Sequence, residues 1–319
     1  MVTSVVNHFG EPTLHDLIAV IVNAHAGGKY DDAWAQQLAR QFLDAGLTVS
    51  VTLAANGDTM LRVTRDAVAS GARIVVAGGG DGTINAVASA LAGSACALGV
   101  LPLGTLNHFA KDLGIPLTVN EAIACIAAGN IRLVDTGEVN DTLFLNNSGL
   151  GMYPDIVRDR EHQQQRLGRG KWLAFASATI SALRRYPFLT ARLTIDGKEQ
   201  VHKTPFIFIG NNVYSMSGFT LGTRTTLDAG LLSLYITERT SRIGLVGLAL
   251  RSLVGRLQQA RDFDALVARE MVIETRHRRL PVATDGEVNW MTTPLHYRIR
   301  PGALRVLAPI AAAADVAPH

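Results

Sequence analysis

Ile74-Val75-Val76-Ala77-Gly78-Gly79-Gly80-Asp81-Gly82-Thr83 decides how the chain is read. A short apolar run reads as a buried strand, and the glycines after it read as a tight turn into a helix over residues 84–91. In open α/β sheets ligands bind here, outside the carboxyl ends of the strands. Glycines let backbone N–H groups approach phosphate oxygens, and the helix N-terminus adds partial positive charge. Two common phosphate motifs are excluded. There is no G-x-x-x-x-G-K-[ST], and Asn85 stands where a dinucleotide fingerprint needs Gly or Ala. Asp81 would repel a bare phosphate, so its presence favours a magnesium-bound nucleotide. The competing reading is a plain strand–helix turn with Asp81 as the helix N-cap.

The neighbouring segments repeat the pattern. Residues 17–22 read as a buried strand ending in Asn23-Ala24-His25-Ala26-Gly27-Gly28. Asp31-Asp32 caps a helix with Trp34, Leu38 and Phe42 on one face, which Gly46 ends. Val49, Val51 and Leu53 alternate as a strand, and Asp58-Thr59 opens a second helix. A strand over residues 98–101 runs into Pro102-Leu103-Gly104-Thr105-Leu106-Asn107-His108, and Thr118 with Glu121 has capping-box spacing. Alternating strands and helices predict right-handed crossovers and a parallel sheet. Three of its strands end in loops of glycine and polar residues that together could line one nucleotide site.

Near Ile131 the alternation stops. Strand candidates follow one another at residues 132–134, 143–146, 189–195, 206–209, 231–236, 271–274, 296–299 and 304–307. Asp196-Gly197 is a hairpin signal, and helical segments interrupt at 171–183 and 243–258. The expected fold is an α/β N-terminal domain with a parallel sheet over residues 1–130 and a C-terminal β-sandwich domain over 131–307. Residues 308–319 are expected to return to the first domain. A chain of 319 residues with 48% apolar and 18% charged residues can build two cores, which excludes intrinsic disorder.

At this point the sequence resembles the diacylglycerol kinase catalytic-domain family of lipid kinases, with its bacterial diacylglycerol kinases and its sphingosine and ceramide kinases. Gly79 to Thr83 matches the G-G-D-G-T signature, shared more remotely with NAD kinases and phosphofructokinases. Asn23 to Gly28 matches the first family motif, Pro102 to Asn107 the second, and Asp285-Gly286-Glu287 a late acidic one. The resemblance implies an ATP-dependent transfer of phosphate to a lipid hydroxyl, with ATP and Mg2+ as cofactors. It implies ATP contacts from Asn23, Thr52, Gly79, Gly80, Asp81, Gly82, Thr83, Ile84, Asn85, Thr105 and Asn107. Glu287 is the implied proton acceptor, with Asp285 and Asp81 supporting the base or the metal. Without the resemblance, Asp285-Gly286 reads equally as a hairpin turn.

Three positions depart from the family pattern. His108 stands where an aspartate follows the asparagine, and Ala24 where proline is common. Asp228 is the implied ligand of a structural Mg2+, but Ala229 replaces the second carboxylate of the Leu-Asp-Asp-Gly motif. A methyl group cannot ligate a hard cation, so loss of this second metal site is expected.

Charge is divided unevenly. Residues 1–151 carry 7 Lys/Arg and 13 Asp/Glu, and residues 152–319 carry 23 and 14. Between Ile156 and Tyr186, Arg158, Arg160, Arg166, Arg169, Lys171, Arg184 and Arg185 accompany Trp172, Phe175 and Ile180. Such a segment suits an anionic membrane surface, and equally reads as an ordinary amphipathic helix with solvated arginines. The expected partners are a lipid substrate, a peripheral anionic membrane surface and a second copy in a homodimer, with no nucleic acid. No signal peptide or membrane span is expected, and Cys96 and Cys125 read as structural thiols of a reducing compartment. The expected location is cytoplasmic with peripheral membrane association. Two alternatives stay open: a soluble-metabolite kinase of the NAD-kinase type, and a nucleotide-binding regulator without catalysis.

Overall fold

A computed structural model describes residues 3–6, 18–26, 30–151, 189–217, 220–224, 226–237 and 263–310. The chain divides into two units, Met1–Val134 with Gly302–His319, and Asp135–Pro301. The division therefore falls four residues beyond the expected position 130, and the return begins at 302 rather than 308. The reason is that two long strands each serve both units.

The first unit runs β1 (Thr3–Val6), β2 (Ile18–Asn23), α1 (Asp32–Asp44), β3 (Val49–Ala54), α2 (Gly57–Ala69), β4 (Ile74–Gly79), α3 (Asp81–Leu91), β5 (Ala97–Pro102), α4 (His108–Asp112), α5 (Val119–Ala127) and the start of β6 (Ile131–Val139). Its sheet has the order β1-β3-β2-β4-β5, parallel except for β1. Val20, Ile21, Val22, Val75 and Val76 are wholly buried, as expected for strands covered on both faces. Leu38 and Phe42 of α1 and Ile123 and Ile126 of α5 pack on the sheet in one core. Asp31 caps α1 by accepting from Trp34 N–H at 2.9 Å. The second helix begins earlier than Asp58, because Asn56 accepts the N–H of Thr59 at 2.9 Å and is the cap. Thr118 and Glu121 form the expected capping box, with the hydroxyl donating to the carboxylate at 2.6 Å.

The second unit holds the end of β6 and β7 (Thr142–Phe144), β8 (Asn147–Gly151), β9 (Leu189–Ile195), β10 (Lys198–Thr204), β11 (Phe206–Asn211), β12 (Tyr214–Ser217), β13 (Thr220–Arg224), β14 (Leu232–Thr237), β15 (Phe263–Ala268), β16 (Glu270–Thr275), β17 (Arg279–Thr284), β18 (Glu287–Thr292) and most of β19 (Leu295–Leu307). One sheet has the order β19-β16-β9-β10, with β6 beside β19 and β7 on β6. The other has the order β15-β14-β11-β8-β17-β18. Leu193, Ile273 and Tyr297 of the first sheet share one core with Leu150, Ile209, Leu234 and Val282 of the second, which makes this a β-sandwich. Asp196 and Gly197 both have positive φ at the β9–β10 turn, the geometry of a two-residue hairpin.

The structure corrects several boundaries. Residues 143–146 are not one strand, since β7 stops at Phe144 and β8 starts at Asn147. The candidates at 296–299 and 304–307 are a single strand, β19. The expected helices at 171–183 and 243–258, and the basic run at 156–186, lie outside the described residues. Among the described residues, no helix is long and apolar enough to cross a membrane.

Candidate active site

Three strand ends of the first unit come together at the carboxyl edge of its parallel sheet. Asn23 closes β2, Gly79 closes β4 and Pro102 closes β5. The Asn23 amide donates to the Thr83 hydroxyl at 3.2 Å, while its carbonyl accepts the N–H of His25 at 3.0 Å. One side chain thereby ties the first loop to the start of α3.

The glycines are explained by contact. A Cβ on Gly79 would lie 2.4 Å from Thr83 Oγ1, and one on Gly104 would lie 2.4 Å from the Gly80 Cα. Both are far inside van der Waals contact, so the loops after β4 and β5 approach as bare backbone. Leu103 N–H donates to the Gly79 carbonyl at 3.0 Å and fixes that approach.

Asp81 is not the helix N-cap. Gly80 holds that position, and Asp81 is the first residue of α3. Its carboxylate accepts the N–H of Phe109 at 3.1 Å. Asn107, the cap residue of α4, has φ 50° and makes no side-chain cap bond. Its amide instead donates to the carbonyls of Gly104 at 2.8 Å and Pro102 at 3.3 Å, and its Oδ1 accepts from Gly104 N–H at 3.2 Å. Asn107 thus staples its own loop while Asp81 caps its helix. No side chain caps α3, which leaves the first-turn amides of Asp81, Gly82 and Thr83 available to an anion.

The remaining expected contacts are arranged differently. Thr105 is exposed on the loop and Asn85 half-buried on α3. Ile84 is wholly buried, and its N–H donates to the Gly80 carbonyl at 3.0 Å. Thr52 lies within β3 and is buried, two residues before the strand ends. His108 is exposed at the start of α4.

The acidic motif belongs to the second unit. Asp285 and Gly286 are the turn between β17 and β18, with φ 48° and 90°. The hairpin reading of that motif describes it. Asp285 is also an anchor: its carboxylate accepts the N–H groups of Leu145 at 2.6 Å, Asn146 at 2.8 Å and Asn147 at 3.0 Å. Burial pushes its carboxyl up to about 6, outweighing the three amides and the Arg224 charge, which all lower it. Glu287, two residues on, is exposed at the start of β18.

Asn146 and its neighbours are held from the other side by groups the sequence reading did not select. Buried Arg224 donates to the Leu145 carbonyl at 2.5 Å and to Asn146 Oδ1 at 2.8 Å. Asn211 donates to Leu145 and Asp135 carbonyls, both at 2.8 Å, and the Tyr214 hydroxyl donates to the Asn146 carbonyl at 2.9 Å. The available signal was two Asn-Asn pairs, Asn146-Asn147 and Asn211-Asn212, each following an apolar strand run.

Asp228 is exposed beside exposed Ala229. Its loop is fastened by backbone N–H groups donating to side chains, Ala229 N–H to Asn212 Oδ1 at 3.0 Å and Gly230 N–H to Asp135 Oδ2 at 2.7 Å. No group of three or more His, Cys, Asp or Glu side chains able to hold a metal occurs among the described residues.

Residues 17–139 match the model of the diacylglycerol kinase catalytic domain, and residues 155–308 match that of the YegS C-terminal NAD kinase beta sandwich-like domain. A Pseudomonas fluorescens protein named "Probable lipid kinase YegS-like" is 31% identical over 273 residues, covering 83% of this chain and 87% of the relative. An uncharacterized Synechocystis protein is 29% identical over 75% of this chain, which spans 56% of that relative's length. A crystal structure of a diacylglycerol kinase from Bacillus anthracis has the same fold, with a TM-score of 0.69 at 22% identity, covering 94% of this chain and 99% of that one. With the diacylglycerol kinase signature on a strand–helix turn and near-complete coverage of a relative above 30% identity, the chain belongs to the YegS-like lipid kinase family.

Proposed function

We propose that the protein transfers the γ-phosphate of Mg-ATP to the hydroxyl of a lipid, of diacylglycerol or sphingoid type, at a membrane surface. The observation that carries this reading is the Gly79–Thr83 turn, which leaves the amides of the α3 first turn without side-chain partners and is pressed against Gly104. Such amides complement phosphate oxygens without adding side-chain charge. This suits a first half of the chain that is acidic.

Asp81 is half-buried at the mouth of that turn, and among the described residues it belongs to no group of three or more His, Cys, Asp or Glu side chains. Mg2+ keeps several waters and takes one or two carboxylates together with substrate phosphates, so this donor set fits it. When bound, the ion would neutralise charge on the transferring phosphoryl group. Asp228 beside Ala229 does not fit a second, structural ion, and no step depends on one.

Phosphoryl transfer demands positioning and charge stabilisation more than covalent chemistry from the protein. The lipid oxygen forms the new P–O bond, the bond to the ADP oxygen breaks, and the hydroxyl proton passes to the Glu287 carboxylate. Asp285 supports this by position. Its three amide bonds fix the turn from which β18 and Glu287 begin.

The test is transfer of label from γ-labelled ATP with Mg2+ into a lipid extract, with products resolved by mass spectrometry. Transfer that Glu287→Gln abolishes supports the reading. Absence of label in every extracted lipid overturns it, and full activity on a water-soluble acceptor without vesicles or detergent would favour the soluble-metabolite alternative.

A further inference from the structure

The second sheet of the β-sandwich ends in an edge strand, β18, that carries the exposed Trp290, 60% accessible. Cross-strand partners point to the same face, and the β17–β18 register pairs Pro281 with Trp290, Arg279 with Thr292 and Ala283 with Val288. Leu280, Val282 and Met291 point inward to the core. Arg279, Pro281, Ala283, Val288, Trp290 and Thr292 therefore form the outer face, where Ala283 is buried, Pro281 and Val288 are half-buried and Trp290 stands clear.

Basic residues flank this apolar patch. The turn from β16 into β17 carries Arg276, His277, Arg278 and Arg279, all exposed. Its backbone is fixed by the Thr275 hydroxyl donating to the His277 carbonyl at 2.9 Å and by Thr293 N–H donating to the Arg278 carbonyl at 3.0 Å. Among the described residues no carboxylate pairs with Arg276, Arg278 or Arg279. Glu274, the nearest acid on β16, is 3.9 Å from Arg192 instead.

We propose that the β17–β18 edge and the preceding arginine turn form the face by which the protein docks on an anionic lipid bilayer. A tryptophan ring has an apolar body and a polar N–H, which suits the headgroup level of a membrane. Three guanidinium groups beside it complement an anionic surface, and the fixed turn presents them without ordering a flexible loop. Glu287 lies three residues from Trp290 on the same strand, about 10 Å along it and on the opposite face. Docking through β18 brings the strand that carries the proposed base to the bilayer. This proposal rests on the lipid-kinase reading for its biological sense, but its physical test does not.

The experiment measures binding of the full chain, without ATP, to vesicles of phosphatidylcholine mixed with phosphatidylglycerol and to vesicles of phosphatidylcholine alone. The expected result is salt-sensitive binding to the anionic vesicles only. Trp290→Ala weakens it about fivefold or more, and the triple Arg-to-Gln variant at 276, 278 and 279 weakens it about fivefold per arginine removed. Both substitutions sit on exposed side chains, and Trp290→Ala keeps wild-type phosphorylation of a lipid dispersed in neutral detergent micelles. Wild-type vesicle binding by both variants overturns the proposal, as does equal binding to phosphatidylcholine alone. A dimer that Trp290→Ala converts to monomer, with vesicle binding unchanged, assigns the face to a second copy and also overturns it. If the variants lose vesicle binding as expected but no lipid accepts phosphate, docking stands and the lipid-kinase reading falls.

Discussion

The Asp81 carboxylate accepts the backbone N–H of Phe109 at 3.1 Å, so a residue of the glycine turn after β4 caps the helix after β5. One acid therefore joins two loops of the site. Asp81→Asn keeps a carbonyl acceptor for Phe109 and is expected to melt near the wild type. Asp81→Ala removes the cap and costs about 1 kcal/mol. Both lose the negative charge, so phosphotransfer with Mg-ATP falls by an order of magnitude or more in each. Thermal melts beside steady-state kinetics separate the two roles, and full activity of Asp81→Asn would deny the carboxylate any part with the metal.

Gly104→Ala sets a Cβ against the Gly80 backbone, which has no flexible end to yield. The two loops must part, at a cost of about 1–3 kcal/mol, and ATP affinity measured by calorimetry falls with it. Gly114→Ala is the control. Gly114 has φ 70° and open space around its Cα, so that variant pays only for backbone conformation, about 1 kcal/mol, and keeps its nucleotide affinity.

Arg224→Met withdraws a buried fork from the Leu145 carbonyl and Asn146 Oδ1. The expected destabilisation is about 3 kcal/mol, because buried acceptors are left unpaired. Arg224→Lys rescues only part of it, since one ammonium cannot reproduce the fork. Loss of the cation also removes an influence that lowers the Asp285 carboxyl, so that group titrates higher still in Arg224→Met. Chemical denaturation of the three proteins checks the order of stability.

Asp285 predicts a pH dependence of folding. Its carboxyl is raised from the ordinary 3.8 to about 6 by burial. Well below 3.8 the folded and unfolded states are both protonated. Between 3.8 and about 6 the folded state keeps a proton that the unfolded state has released, so this group lowers stability as pH rises. Above that window the full cost, about 3 kcal/mol, is in place. Subtracting the melting profile of Asp285→Asn from that of the wild type isolates the effect. A flat difference between pH 4 and 6.5 would contradict it.

The parallel half of the fold was legible because its signals are local. Apolar runs at Ile18–Asn23 and Ile74–Gly79 meet glycine punctuation, and Thr118 with Glu121 marks a helix start in four residues. The β half was less legible. Strands β10, with Lys198, Glu199, Gln200 and Lys203, and β18, with Asn289 and Trp290, are polar or exposed edge strands stabilised by pairing rather than burial. The glycines marked the turn from β4 into α3, but not that Asp81 would cap α4 or that Asn107 would bind its own loop. Those bonds depend on how β4 and β5 align. Arg224 was hidden for the same reason, since its partners lie 78 and 79 residues earlier in the chain.

Strand β19 carries a consequence for the order of folding. In the first unit Arg305 pairs with Ala97 and Val306 with Leu98, while Leu304, Leu307 and Ala308 are buried there. A nascent chain therefore reaches β5 long before its neighbour exists, and the whole of Asp135–Pro301 is synthesised in between. Until then β5 has an open, apolar edge, the kind of surface that recruits foreign strands. Cutting the chain after Val134 would make that condition permanent, so the glycine turn and its sheet reach their finished state only when the last strand arrives.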